Sequence, residues 1–132
     1  MRREFNLPEQ DTEFLEASGY DWEAIRVNNA SWVLIHDFNI PEGYTTNKVT
    51  AALRIDNGYP TSQIDMVYFS PHLHRADGKT INALAMQSID GKQYQRWSRH
   101  RTPANPWRRE LDDISTHLSL ITYWLEREFK LR

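Results

Sequence analysis

The chain has 132 residues, 16 Lys and Arg against 18 Asp and Glu, a formal net charge of −2, and no cysteine. That length gives one domain, residues 1–132, with room for a real core and none for a second domain. The charge argues against a general nucleic-acid binder, which is normally clearly basic. The missing cysteine excludes disulfides, a thiolate metal site and a cysteine nucleophile. No apolar run approaches the roughly 18 residues that a membrane span requires. The opening MRREFNLPEQ lacks a signal peptide's apolar segment, so a cytoplasmic protein is expected.

In chain order, Pro8 followed by Glu9, Asp11 and Glu13 predicts a first helical turn, since acidic side chains favour the positive end of the helix dipole. Phe14, Leu15 and Ala17 supply its apolar face, and Gly19 ends it. Residues 31–40 (SWVLIHDFNI) alternate as a strand. Trp32, Leu34, His36 and Phe38 are expected on one face, and Val33, Ile35 and Asp37 on the other. After a turn at 41–44, residues 48–55 alternate again, with Val49, Ala51, Leu53 and Ile55 inward. Residues 64–69 (IDMVYF) predict a third strand, and Pro71 closes it because proline cannot donate to a ladder. Short connections make these three strands an antiparallel meander.

A polar loop from His72 to Thr80 follows, carrying two histidines and the turn dipeptide Asp77-Gly78. Residues 81–89 (INALAMQSI) read as a short helix or an irregular apolar segment over the sheet. Residues 93–101 (QYQRWSRHR) predict a fourth, exposed strand. Asn105 and Pro106 suit the cap and first position of a helix over 107–130. Its apolar stripe is Trp107, Leu111, Ile114, Leu118, Ile121 and Leu125, with His117 on its flank and Lys130 and Arg132 at its end. The expected fold class is α+β: a four-stranded antiparallel meander with an N-terminal helix and a long C-terminal helix on one face.

Three features could carry chemistry or binding. His72 and His74, two apart on an extended segment, point the same way and could share a metal if His100 or Asp77 joined them. A phosphate is the other ligand three converging histidines could take. Residues 92–109 hold six Lys and Arg interleaved with Tyr94, Trp97 and Trp107. Aromatic and Arg side chains are typical interface anchors, and they can also stack single-stranded nucleic acid. A protein-binding surface built on His72, His74, Arg75, Arg96, Trp97, Arg99, His100 and Arg101 is the preferred reading; a solvated strand face over one buried Trp is the plain alternative. No catalytic residue, metal or cofactor is assigned.

The order of these pieces resembles the ubiquitin-conjugating enzyme fold, and more specifically the prokaryotic ubiquitin-conjugating-enzyme-like family E. The matching segments are LPEQDTEFLEASGYDWE, WVLIHDFNIPEGY, GYPTSQIDMVYFSP, RADG, QRWSRHR and PWRRELDDISTHLSLI, spread over about residues 7–128. The resemblance implies the same α+β architecture. It also implies a cysteine thiolate that accepts a ubiquitin-like C-terminus as a thioester, with an Asn a few residues earlier in an H-P-N motif. Here that place reads Ser70-Pro71-His72-Leu73-His74, and the nucleophile slot falls at 77–82, where no thiol stands. Thr80 is no substitute, because its hydroxyl needs a positioned base. The resemblance therefore implies a non-catalytic binding or scaffold component. Its implied partners are a ubiquitin-like or multi-ubiquitin protein, an adenylating activating enzyme and a metal-dependent isopeptidase.

Overall fold

Pro8 and Gly19 bound the first helix. Pro8 lies at φ −51°, and its carbonyl accepts from the amides of Asp11 and Thr12, which starts α1 (Glu9–Ser18). Gly19 ends it in the left-handed region at φ 79°, a conformation that costs other residues energy. The computed structural model describes residues 1–131, so Arg132, expected at the end of the C-terminal helix, lies outside the described residues.

Among the described residues the sheet has six strands, where the sequence pattern predicts four: β1 (Trp22–Val27), β2 (Ala30–Asn39), β3 (Lys48–Ile55), β4 (Val67–Ser70), β5 (Leu84–Ile89) and β6 (Lys92–Trp97). All paired strands are antiparallel, in the order β1-β2-β3-β4-β6-β5. The expected meander is therefore β2–β3–β4, extended by a hairpin at each end. Asn28 and Asn29, at φ 50° and 67°, join β1 to β2 through the kind of two-residue turn that matches strand twist. β1 escapes the alternation test because adjacent Ala24 and Ile25 are both fully buried, one on each face.

Two local distortions redirect side chains. Asp37 sits at φ 53° and the β2–β3 register shifts between Ile35 and Phe38. This bulge sends Phe38 into the same core as Val33 and Ile35, not to the face of Trp32 and Leu34. His36 stays on the open face, half-buried, between Thr50 Oγ1 at 3.0 Å and Glu23 Oε2 at 2.9 Å. Met66, at φ 57°, interrupts the run before β4, so that strand starts at Val67, three residues later than predicted.

Residues 81–89 form no helix; most of them become β5, which turns through Asp90-Gly91 into β6. The exposed strand predicted to reach Arg101 stops at Trp97. β6 lies between β4 and β5, so residues 71–83 must cross its end to place β5 outermost. They cross on the helix side, where Leu73 and Ile81 enter the main core.

The C-terminal helix, α2 (Ile114–Leu131), begins seven residues later than the predicted 107. Asp113, not Asn105, caps it. The Asp113 carboxylate accepts from the Thr116 amide at 3.1 Å, and the Thr116 hydroxyl accepts from the Asp113 amide at 2.9 Å. Leu111 is consequently not part of the stripe but 67% exposed. Ile114, Leu118, Ile121 and Leu125 pack on the sheet as expected, and His117, placed by sequence on the flank, is fully buried. α1 and α2 cover the same sheet face. The opposite face holds a smaller cluster around Trp32, Leu34, Tyr68, Ile89 and Tyr94. No helix of the described residues is long and apolar enough to cross a membrane.

Candidate functional site

The 71–83 crossing is the polar, histidine-bearing segment that the sequence singles out. Its course is fixed from three sides. Gln95, on β6 and 5% exposed, clamps the backbone of Leu73: its side-chain oxygen accepts from the Leu73 amide and its nitrogen donates to the Leu73 carbonyl, each at 3.0 Å. The same oxygen accepts from the Trp97 indole at 2.9 Å. A side chain here plays the part of a neighbouring strand, satisfying a backbone that water cannot reach.

The second side is the β2–β3 connection. Thr45 donates its amide to the His74 carbonyl, and Ala76 donates to the Gly43 carbonyl, each at 2.8 Å. Gly43 sits at φ 108°, and a Cβ there would collide with the Phe129 ring. Only glycine allows the connection to approach both α2 and the crossing segment.

The third side is Arg75. Its side chain is 2% exposed, although the sequence reads it as a contact residue. It donates to the Asp77 carboxylate at 2.6 and 3.0 Å and to the Glu128 carbonyl at 3.3 Å, and it lies over the Phe129 ring at 4.5 Å. The Arg75 guanidinium holds the Asp77 carboxyl below its ordinary range, helped by the Lys79 amide. Tyr44 completes this corner: its hydroxyl donates to the Leu125 carbonyl at 2.6 Å, and burial, with Glu128 nearby, pushes that hydroxyl's pKa up.

Around this frame lies an open cleft of about 330 Å³ whose walls include Leu73, His74, Lys79, Thr80 and Leu84. His74, Lys79 and Thr80 are exposed on it, and His72 beside it is half-buried. Among the described residues the Thr80 hydroxyl makes no hydrogen bond, and His74 and Lys79 line the same cleft. The exposed His74, Lys79 and Thr80 side chains give the cleft hydrogen-bonding groups for a ligand.

The basic and aromatic run at 96–101 is folded largely inward. Trp97 is fully buried against Phe69 and Tyr44, so it is a core residue and not a contact residue. Arg99 lies over the Trp97 ring at 4.8 Å and pairs with Glu128 at 3.3 Å. Arg101, its side chain 6% exposed, lies over Trp107 at 4.9 Å and pairs with Asp112 at 3.6 Å. Arg96 is half-buried on the open face, and its Nε has no partner among the described residues. His100 alone of this run is exposed, held by Asp65 at 2.9 Å. Stacked and paired in this way, Arg99, Arg101, Trp97 and Trp107 do not offer the platform that single-stranded nucleic acid needs.

The histidines do not converge. Among the described residues no three His, Asp or Glu side chains are grouped to hold a metal ion, so the His72, His74 and His100 constellation is not assembled. Gln95, which clamps the crossing segment at Leu73, is not singled out by sequence. An uncharged Gln within an alternating strand gives little warning; its one signal is a polar residue at a position that the period assigns to the core.

A family model described as prokaryotic E2 family E matches residues 7–128. Neither a curated protein nor a solved structure gives a significant match.

Proposed function

Because the chain belongs to the prokaryotic E2 family E, we propose that it is a non-catalytic, cytoplasmic E2-like component of a bacterial ubiquitin-like protein pathway that works by binding. One observation carries this reading. The segment that follows β4, where the family resemblance expects the cysteine, contains no thiol and is pinned by Gln95, Gly43 and Arg75. A transfer enzyme needs a nucleophile there; a binding protein needs a segment already held in shape, which lowers the ordering cost of association.

The contact surface in this reading is the outer side of residues 72–80, with His72, His74, Lys79 and Thr80. His100 and the outward edges of Arg96 and Arg99 form a second patch. The partners are a ubiquitin-like or multi-ubiquitin protein and its adenylating activating enzyme, with a metal-dependent isopeptidase acting in the same pathway.

Gel filtration of the chain with a bacterial ubiquitin-like protein and its activating enzyme, with and without ATP, tests the proposal. Peak fractions are run on a non-reducing gel. The expected result is a co-eluting complex with no covalent adduct on this chain. An ATP-dependent adduct, or no association under either condition, overturns the reading.

A further inference from the structure

Arg2, Arg75, Arg99 and Arg101 each pair with a carboxylate, and the last three also lie over an aromatic ring. Two arginines on the sheet face opposite the helices have neither. Arg54, on β3, is exposed and makes no ion pair or hydrogen bond among the described residues. Arg96, on β6, is half-buried, and its Nε is buried without a partner. A guanidinium N–H left unbonded away from water is costly, and in folded proteins such a group ordinarily meets an ordered water or an ion.

β4 lies between β3 and β6, so these two residues flank one strand. Tyr68 on β4 pairs with Arg96 on one side and with Ala52 on the other, and Arg54 stands two residues beyond Ala52. Strand alternation therefore puts both arginines on the Tyr68 side of the sheet. The Tyr68 ring is buried edge-on against Trp32, with centroids 4.9 Å apart, and its hydroxyl makes no hydrogen bond among the described residues. Burial raises the pKa of that hydroxyl, and the charges of Arg96 and then Arg54 oppose the rise, so both guanidinium groups act on one oxygen. The hydroxyl stays protonated near neutral pH and can donate. Beside Arg54 and Tyr68 opens a cavity of about 290 Å³, lined also by Met66, Gln63, Asp56 and Asp65. Both acids are already engaged, Asp65 by His100 at 2.9 Å and Asp56 by the Gly58 amide at 2.9 Å.

We propose that Arg54, Arg96 and the Tyr68 hydroxyl form a binding site for the oxyanion head, carboxylate or phosphate, of a small ligand. Guanidinium groups take such heads through paired N–H donors, and the hydroxyl adds one more. Bound there, the head gives the Arg96 Nε a partner and stands between two cations that flank one strand. The cavity walls limit the rest of the ligand. Asp56 and Asp65 repel a polyanion such as a nucleic acid, and with Gln63 they accept hydrogen bonds from a ligand that also carries amine or hydroxyl groups. The volume suits a molecule the size of an amino acid or a sugar phosphate. Although Arg96 also edges the second contact patch of the reading above, this site does not rest on that reading, and its test needs no partner protein.

The test is NMR titration of the full chain with inorganic phosphate and, separately, with acetate. Backbone amide and guanidinium Nε–H signals are recorded at constant ionic strength, balanced with sodium chloride. The expected result is a saturable shift confined to Arg54, Arg96, Tyr68 and their neighbours, with Kd of about 1–10 mM for the better anion. The tighter of the two identifies the head. Arg54→Gln and Arg96→Gln should each weaken binding by about fivefold or more, and Tyr68→Phe by about two- to fivefold. Arg108→Gln, at an exposed arginine elsewhere, should leave it unchanged. If Arg96→Gln does not fold, the exposed Arg54→Gln and the hydroxyl deletion decide. No saturation by either anion up to about 100 mM overturns the proposal. So do shifts shared equally by Arg108, which mark charge screening only, or full binding retained by Arg54→Gln and Tyr68→Phe.

Discussion

The two long connections, 71–83 and 98–113, are held by opposite means. The first is fixed mainly through its backbone, Leu73 by Gln95, His74 by Thr45 and Ala76 by Gly43, with the buried Arg75 as its one charged side-chain anchor. Its side chains are thereby left to face solvent, apart from Leu73, Arg75 and Ile81. The second is fixed through its side chains. Arg99 lies over Trp97, His100 bonds Asp65, Arg101 lies over Trp107, and the Trp107 indole donates to the Pro60 carbonyl at 2.9 Å. Its backbone makes mainly local turns, such as Asn105 to Thr102. A run of Arg and Trp therefore serves as internal adhesive, while the plainer segment keeps a presentable surface. Residue type alone does not separate the two uses, because guanidinium stacking works equally well inside a fold and between folds.

If this contrast holds, Gln95→Leu is the most damaging single change. It strands the Leu73 amide, the Leu73 carbonyl and the Trp97 indole without partners. The expected loss is roughly 3–5 kcal/mol in urea unfolding, with faster exchange of the Leu73 amide. Gly43→Ala comes next, since it combines a left-handed backbone with the Phe129 clash; about 2–4 kcal/mol should be lost. On the other connection, Trp107→Ala removes the Arg101 stack, the Tyr59 contact and the bond to Pro60. It should cost about 2–3 kcal/mol, because a half-buried ring loses less than a core one. Limited proteolysis should then cut within 98–112 and spare 71–83; the reverse pattern would contradict the contrast.

A pH titration sharpens it further. His117 donates to the Met66 carbonyl from inside the packing beneath the second connection, and burial pushes its imidazole down to about 4 from 6.5. Between those values the unfolded chain holds a proton that the native state does not. Stability from this residue is complete above about pH 6.5 and falls as the pH drops toward 4. Glu23, held down to about 2 by Arg2 and His36, adds its own loss only below its ordinary 4.5. Comparing wild type with His117→Gln between pH 7 and pH 4.5 isolates the histidine. The variant should show a flatter decline, by on the order of 1–3 kcal/mol. The smallest effect on folding belongs to His74→Ala, an exposed residue whose loss should change stability by less than about 0.5 kcal/mol. If the first connection is the contact surface, the same variant should still weaken complex formation in gel filtration.

Much of the fold was legible in the chain. Gly19, the alternation of 48–55, the 31–40 strand and the body of the last helix are local signals, each set by residues within one or two turns or strand repeats. β1 was missed because burial on both faces erases alternation. The β5 segment was ambiguous because six residues without charge suit either element until β6 offers a partner. The helix start was placed too early because Asn105-Pro106 is a sound local cap, yet the Ile114 amide is bonded by Asp11, a residue 103 positions away. For the site, sequence located the segment and the missing thiol but not the direction in which Arg75, Trp97, Arg99 and Arg101 turn.

The sequence by itself determined that no cysteine chemistry is possible, that the chain is α+β, and where the histidine-bearing crossing lies. Composition and short periodicities carry that information, since neighbours in sequence are always neighbours in space. Only the tertiary structure decided which charged side chains are inward, which sheet edge is open and what holds the crossing in place. Those depend on contacts such as Gln95 to Leu73 and Arg75 to Glu128, made across 22 and 53 residues. Their energy comes from excluding water around paired polar groups, and no local stretch of chain can exclude water alone.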